Sequence, residues 1–589
     1  MTEHAFSESI VTEFDVPAEM RDGTILRANI FRPASGGPYP VALTRTPYGK
    51  DYGSVSPFLD AVRMARAGYI VVIQDVRGRF RSEGEFSAFR NEFHDGYDSV
   101  EWAARLPNSN GKVGMFGASY FGFTQWAAAV ETPPSLKAIV PSITWHDTRD
   151  GTSWRGGALE LGVIAGWNIG TIALDVYLKR YAQAPLYEQF AAAMRLVNEI
   201  NNLRTEGYWS LPLKDFEPLK RVDVGVADLE RFIAHPYNAQ EAVATSPGTR
   251  LDCVTVPSLN IGGWYDIFTQ GTIDNFAAMR ERGGTPEARQ AKLVIGPWSH
   301  VNYSHVVGQQ DFGFVANMSF MNLQTDLTSL TQRWFDYWLK GIDNGIAHEP
   351  PVKLFIMGDN AWRDEGEWPL ARTRYTPYYL HSGGAANTLN GNGSLSTTPP
   401  VEELADHYVY DPATPTPTLG GSNLMHPLFY QGVKDQREIE ARPDVLVYTS
   451  APLERDTEVT GPVVAKLWVT SDGPDTDFVA RLVDVHPDGF AQNLADGILR
   501  ARYRDGETEK MLTPGEPAEI TVDLWSTANV FKAGHRIRVD IASASFPRWD
   551  RNPNTGAPFG QDAELRPARN TILHDAAHPS HIILPLIPR

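Results

Sequence analysis

The sequence predicts an α/β protein in three parts: a parallel-sheet domain, a helical insertion within it, and a C-terminal all-β domain. Continuous apolar runs at 69–75, 113–116, 137–141, 256–262 and 292–296 alternate with helical stretches, as in a parallel sheet covered on both faces. Strand signals vanish between 148 and 246. In the C-terminal region, short alternating segments separated by turn residues take over, the pattern of a sandwich or jelly roll.

Taken in order, Ile10 to Val16, Thr24 to Phe31 and Val41 to Thr44 read as strands, the first two joined by the turn Arg21-Asp22-Gly23. Ala61 to Ala67 and residues 95–105 have helical patterns, flanking the strand Tyr69 to Asp75. Val113 to Phe116 is a strand, Ala127 to Glu131 belongs to a helix, and Lys137 to Pro141 is again a strand. In the insertion, Phe190, Met194, Val197 and Ile200 share one helical face, and Ala227 to Ile233 forms a further helix. Strands return at Val256 to Gly262 and Lys292 to Gly296, and Arg333 to Lys340 is helical and aromatic. Residues 385–430, rich in Gly, Asn, Ser, Thr and Pro, read as loop. Strands follow at Val445 to Tyr448, Val463 to Thr470, Asp477 to Val485, Ala518 to Leu524 and Arg536 to Ile541. The expected units are 1–147 and 247–350 for the sheet domain, 148–246 for the insertion and 351–589 for the jelly roll.

A chain of 589 residues is too long for a single core. The net charge of −18, with no basic stripe, argues against nucleic acid or an anionic membrane as partner. The single cysteine, Cys253, excludes an internal disulfide and sits in an apolar stretch, where a buried inert thiol is expected. The first ten residues lack the basic and apolar regions of a signal peptide, and no run approaches a membrane span. A soluble cytoplasmic chain is the expectation.

The chemistry centres on Val113-Gly114-Met115-Phe116-Gly117-Ala118-Ser119-Tyr120-Phe121-Gly122, an apolar strand running into small residues, a serine and a helix. That is the layout of a nucleophile elbow, with the glycine at +3 rather than the usual +2. A serine at an ordinary strand end would look similar. An attacking serine needs a base and a group that orients the base, in the chain order Ser, Asp or Glu, His, each at a strand end. Asp266 follows the strand ending in Ile261-Gly262, and His300 follows the one ending in Ile295-Gly296. Asp274 competes with Asp266, which could instead cap a helix. His305, His146 and His94 compete with His300. For an oxyanion hole the Tyr120 N–H is the expected backbone donor. In Arg45-Thr46-Pro47-Tyr48-Gly49-Lys50 the Tyr48 hydroxyl is a second candidate, although packing on the sheet end explains that ring equally well. The charged run Arg77 to Glu85 reads as a salt-bridged loop. No metal-ligand spacing is present, and no metal or cofactor is expected.

Beyond these residues the chain resembles the cocaine esterase branch of the X-prolyl dipeptidyl-peptidase superfamily of serine hydrolases. The likeness runs from about residue 10 to the end, through 45–50, 75–86 (Asp75 to Phe86), Gly117 to Gly122, Gly262 to Asp266 and Ile295 to His300. It is reinforced at 355–363, 475–478, Ala533 to Ile537 and 552–556. The resemblance implies an α/β-hydrolase domain, a helical cap and a C-terminal jelly roll meeting at the active site. It also implies Ser119, Asp266 and His300 as triad, with the Tyr48 hydroxyl and Tyr120 amide as oxyanion donors. Trp167 and Phe268 match aromatics of the family's acyl pocket, and Leu424-Met425 stands where the family's esterase has a Leu-Phe pair. Phe268 and Thr269 replace the acidic residues with which α-amino-acid ester hydrolases hold an ammonium group. Strand patterning that begins by residue 10 leaves no room for the long N-terminal domain of the dipeptidyl-peptidases.

The expected activity is hydrolysis of carboxylic esters with a bulky or aromatic acyl group through an acyl-enzyme. The alternative is an amidase, acylase or X-prolyl dipeptidyl-peptidase on the same triad. A more distant reading is an inert hydrolase domain beside a carbohydrate-binding jelly roll. Expected partners are a small ester or amide substrate and, at most, a second copy of the chain as homodimer.

Overall fold

The computed structural model describes residues 9–234, 244–425 and 429–589. A ten-stranded sheet forms the first layer. Its strands are β1 (Ile10–Glu19), β2 (Ile25–Pro33), β3 (Tyr39–Thr46), β4 (Ile70–Asp75), β5 (Ser109–Ala118), β6 (Leu136–Ser142), β7 (Leu259–Tyr265), β8 (Lys292–Ser299), β9 (Val352–Ile356) and β10 (Ala361–Glu365). The spatial order is β1-β2-β4-β3-β5-β6-β7-β8-β9-β10. From β4 to β9 all neighbours are parallel, and their side chains are buried almost without a break, hence the apolar runs. The expected boundary at 350/351 is corrected: β9 and β10 lie beyond it yet pair with β8 and with each other.

Helices α1 (Ala61–Arg66), α2 (Glu92–Ala104) and α3 (Tyr120–Val130) cross over between the early strands. Every residue of α3 is buried, because it packs between strands β3, β5 and β6, helix α2 and the 3₁₀ turn Pro247–Cys253.

The chain leaves the sheet after β6 and returns at β7. In between, a two-stranded hairpin (Trp154–Arg155 with Ala158–Leu159) precedes α4 (Leu161–Trp167), a π-helical turn (Asn168–Ile172) and α5 (Ala173–Arg180). Leu161–Arg180 is a single 20-residue helix, long and apolar enough to cross a membrane. This corrects the expectation that no run approaches that length. In the fold 61% of its most apolar window is buried, so it serves as the cap's core helix. Next come α6 (Leu186–Asn202), α7 (Glu217–Val222) and α8 (Val226–Ala234). The apolar face read on α6 points outward: Phe190 is 67% exposed, and Met194 and Val197 are exposed as well. The smaller stripe of Ala192 and Leu196 packs inward instead. Cys253, expected to be buried, is exposed at the end of a 3₁₀ turn.

Helices α9 (Thr269–Arg282) and α10 (Leu327–Lys340) complete the first domain. Apart from a two-stranded ribbon (Val306–Val307 with Gln310–Asp311), eleven further strands form one network. They are β11 (Arg374–His381), β12 (Ser394–Ser396), β13 (Asp406–Tyr410), β14 (Leu446–Ser450), β15 (Thr457–Ser471), β16 (Asp477–Val485), β17 (Ala491–Arg500), β18 (Ala518–Phe531), β19 (Arg536–Ala542), β20 (Ala568–Leu573) and β21 (His581–Ile587). Two of them, β12 and β13, fall in the stretch read as loop.

The cap is seated on this β domain. Phe546 and Phe559 enter the cap's apolar core. Around them lies a buried charge layer: Arg500 pairs with Asp477 at 2.8 Å and Asp550 at 3.0 Å, and Asp550 accepts the Leu159 N–H at 2.7 Å. Breaking a buried pair leaves an uncompensated charge and costs on the order of 3–5 kcal/mol. Arg500→Met should therefore lower the unfolding free energy by that amount in denaturant titration. A loss below about 1 kcal/mol would mean that the two carboxylates are neutralised in some other way.

Candidate active site

Ser119 sits at the end of β5 with φ 55° and ψ −125°, a conformation that side chains avoid and that elbows use to lift a nucleophile off the sheet. Two glycines allow it. A Cβ on Gly117 (φ 134°) would stand 2.3 Å from the Phe121 ring, and one on Gly122 would stand 2.9 Å from the Ser142 carbonyl. The glycine at +3 is thus where α3 meets β6. Position +2 is free to hold Phe121, whose ring meets Tyr48 edge-on at 6.0 Å.

Asp266 and His300 each follow a strand end, and the register of β7 with β8 sets Tyr265 opposite Ser299, so the next residue on each strand reaches the same place. His300 Nδ1 lies 2.6 Å from Asp266 Oδ1, and Nε2 lies 3.0 Å from Ser119 Oγ. A carboxylate only accepts, so Nδ1–H donates to Asp266 and Nε2 is left to accept the serine proton. Asp266 is fully buried and its Oδ2 has no hydrogen-bond partner among the described residues, so the imidazole is the side-chain partner shown for this carboxyl group. The competing residues lie elsewhere. Asp274 accepts from Gln270 within α9, His146 bonds Asn275, His305 packs on Phe314, and His94 faces Glu131 at the surface.

The Tyr48 hydroxyl accepts a hydrogen bond from Trp167 Nε1–H at 3.1 Å, and Tyr48 lines the same cavity as Ser119. Burial raises its pKa, so it keeps its proton and can donate. Tyr120 opens α3, where backbone N–H groups have no intrahelical partner. Its own hydroxyl points away, donating to Glu92 at 3.0 Å. Glu92 is in turn paired with buried Arg45 at 2.9 Å.

A cavity of ≈ 50 Å³ opens beside Ser119. Its wall is aromatic: Trp167 stacks on Phe89 and Tyr120, each at 6.0 Å, and Phe268 meets Trp145 at 4.9 Å and the His300 ring edge-on at 5.2 Å. Leu424 reaches this wall from the β domain. Met425 does not line it and packs against Gly162 of α4, where the absent side chain makes room. Phe89 and Trp145 line the cavity but were not singled out in the sequence, because both lie in loops with no motif around them. The Arg77–Glu85 run is salt-bridged as expected, through Arg77 to Asp95 and Asp22. It has a second role as well. Arg79 donates to the Pro47 carbonyl at 2.9 Å and to the Ile172 carbonyl of the π turn at 3.0 Å, tying the Tyr48 loop to the cap.

Residues 22–302 match the X-Pro dipeptidyl-peptidase (S15) family, and 344–583 match the X-Pro dipeptidyl-peptidase C-terminal non-catalytic domain. The chain is 40% identical to a cocaine esterase of Rhodococcus sp. (strain MB1 Bresler) over 99% of both chains. It belongs to the cocaine esterase branch of the S15 serine hydrolases. Among solved structures, an α-amino acid ester hydrolase superposes with a TM-score of 0.77 at 26% identity, covering 98% of this chain and 97% of that one. An aminopeptidase from a marine sediment archaeon, Thaumarchaeota archaeon, gives 0.77 at 25%, covering 98% and 96%.

The turn behind Tyr48 is pinned by Asp75, which accepts the Lys50 N–H at 2.7 Å. Burial raises the Asp75 carboxyl to about 6, against about 3.9 in an unfolded chain. Between about pH 4 and 6 the folded state holds the extra proton, so stability falls as pH rises through that window. Asp75→Asn removes this titration, and its unfolding free energy should decline less between those pH values than that of the wild type. Identical declines would show that Asp75 is ionised throughout.

Proposed function

We propose that Ser119, His300 and Asp266 are the catalytic triad of a carboxylic-ester hydrolase. The observation that carries this reading is the unbroken line from Asp266 Oδ1 through both nitrogens of His300 to Ser119 Oγ, at 2.6 Å and 3.0 Å. Ser119 Oγ attacks the ester carbonyl while His300 Nε2 takes its proton. Asp266 holds the ring in the required tautomer and stabilises the imidazolium. The Tyr48 hydroxyl and Tyr120 N–H donate to the oxyanion. His300 then protonates the leaving alcohol, and a water activated by the same ring cleaves the acyl-enzyme.

The acyl group is proposed to be aromatic or bulky and apolar, and uncharged. Trp167, Phe89, Phe268 and Leu424 offer stacking faces and aliphatic surface. The acidic residue of the wall, Asp228, is paired with Arg231 at 2.9 Å, and the positions after Asp266 are Ile267, Phe268 and Thr269. Among the described residues an ammonium group therefore finds no unpaired carboxylate in the wall, which favours a plain ester over an α-amino ester or a peptide N-terminus. The likeness to a cocaine esterase points the same way.

Ser119→Ala should fold normally and reduce p-nitrophenyl benzoate hydrolysis to background. Turnover near wild type would remove Ser119 from this role. Tyr48→Phe deletes one oxyanion donor and should lower kcat by about 10²–10³ with little change in KM. A kcat near wild type would place the donor elsewhere. Matched benzoyl ester and anilide substrates separate the esterase from the amidase reading: the ester should turn over far faster, and anilide turnover at the same rate would favour the amidase.

A further inference from the structure

Two stretches of the β domain have no part in the chemistry above: the turn His486-Pro487-Asp488-Gly489-Phe490 and the segment Ala533-Gly534-His535. The fold brings them together. β16 and β19 pair antiparallel with Val485 opposite Arg536, so residues 486 and 535 lie side by side just past the strand ends. Asp484, two residues earlier, is buried, and its Oδ1 accepts from His535 Nδ1 at 2.8 Å. The rings of His486 and His535 are 4.4 Å apart between centroids. One ligand atom from each of the three residues lies within 4.8 Å of the others.

We propose that Asp484, His486 and His535 bind a divalent transition-metal ion of the zinc class, with solvent completing the coordination. Two imidazoles and a carboxylate are the donor set such ions favour over calcium or magnesium, which take oxygen ligands. Bonds of about 2.0–2.1 Å in a tetrahedral arrangement set donor atoms about 3.3 Å apart. The ion takes the place of the proton shared by Asp484 and His535. Only small side-chain rotations are then needed to bring in His486, which is half-buried on its turn.

The surroundings suit ligands rather than an incidental contact. Asn529 donates to Asp484 Oδ2 at 3.2 Å, and the Phe490 ring meets His486 edge-on at 5.2 Å. Outer partners of this kind hold ligating groups in orientation. Gln492 lies opposite Asp484 on the neighbouring strand β17. Gln492 also donates to the Tyr265 hydroxyl at 3.3 Å, one residue before Asp266. The proposed ion would thus clamp β16 to β19 on the side of the β domain that backs the catalytic strand.

The test is a Co²⁺ titration of full-length protein stripped with chelator, followed through the visible ligand-field bands and then competed with Zn²⁺. The expected result is one Co²⁺ per chain, displaced by Zn²⁺, together with a rise in Tm on Zn²⁺ addition. His486→Ala, at a half-buried position, and His535→Ala should each weaken binding by more than about 10-fold, while His300→Ala leaves it intact. Absence of saturable binding, or unchanged affinity in His486→Ala, would overturn the proposal. So would loss in His300→Ala alone, which would place the ion at the triad. If His535→Ala does not fold, the titration and Zn²⁺-dependent Tm of His486→Ala decide the matter.

Discussion

The backbone at Ser119, held at φ 55°, is the constraint on which the rest of the site depends. A side chain in such a region costs on the order of 1–3 kcal/mol and persists only where its surroundings over-determine it. Here they do. The Ser119 N–H donates to Ser142 at 3.0 Å, and its carbonyl accepts from Thr144 Oγ1 at 2.9 Å and from two amides of α3. These bonds draw α3 down onto the end of β6, and only a glycine at 122 fits beneath them. The unusual spacing of the motif follows from that contact. With the close approach made one position later, Phe121 can pack beside Tyr48 and help set the angle of the phenol.

Behind the apolar wall is a buried polar layer. Arg45 reaches both Gln74 and Glu92, and Glu92 accepts the Tyr120 hydroxyl. Burial raises the Glu92 pKa and the Arg45 charge opposes the shift. Unpaired, either charge would be expensive in this setting. Paired, they fix the side chain of Tyr120 away from the nucleophile, so that this residue meets the site with its backbone N–H. The conformation of one residue at the elbow is thereby set by an ion pair on two other elements.

Much of this was legible in the sequence because strand ends have a signature. An apolar run followed by a polar residue marks the place where a buried strand emerges, and Ser119, Asp266 and His300 all occupy such places. Parallel register then does the rest, since neighbouring strands bring their ends to one edge. The failures have physical causes as well. An apolar stripe at helical spacing says that a helix has a face, not which way the face points: Phe190 and Met194 lie outward, and Ala192 and Leu196 do the packing. Short strands such as Asp406–Tyr410 hide in turn-rich sequence because pairing with β20 supplies their stability. Phe89 and Trp145 reach the pocket through loop geometry that no periodicity encodes. The fate of Met425 depends on a space left by Gly162, more than two hundred residues away in the chain.

Arg79 shows how the sheet domain and the cap act as one unit. Its guanidinium, 1% exposed, holds the carbonyl of Pro47 on one side and that of Ile172 on the other, with Asp175 at 3.4 Å balancing its charge. The Ile172 carbonyl belongs to a π-helical turn, in which the widened hydrogen-bond ladder leaves backbone groups open to such a donor. Trp167 immediately precedes that turn and donates to the Tyr48 hydroxyl. The cap therefore contacts the proposed oxyanion donor twice, once through its backbone loop and once through its phenol. A displacement of the cap would tilt Tyr48 before it reached Ser119, His300 or Asp266, which are anchored in the sheet. Trp167 thus both lines the pocket and fixes the hydroxyl proposed to donate to the oxyanion.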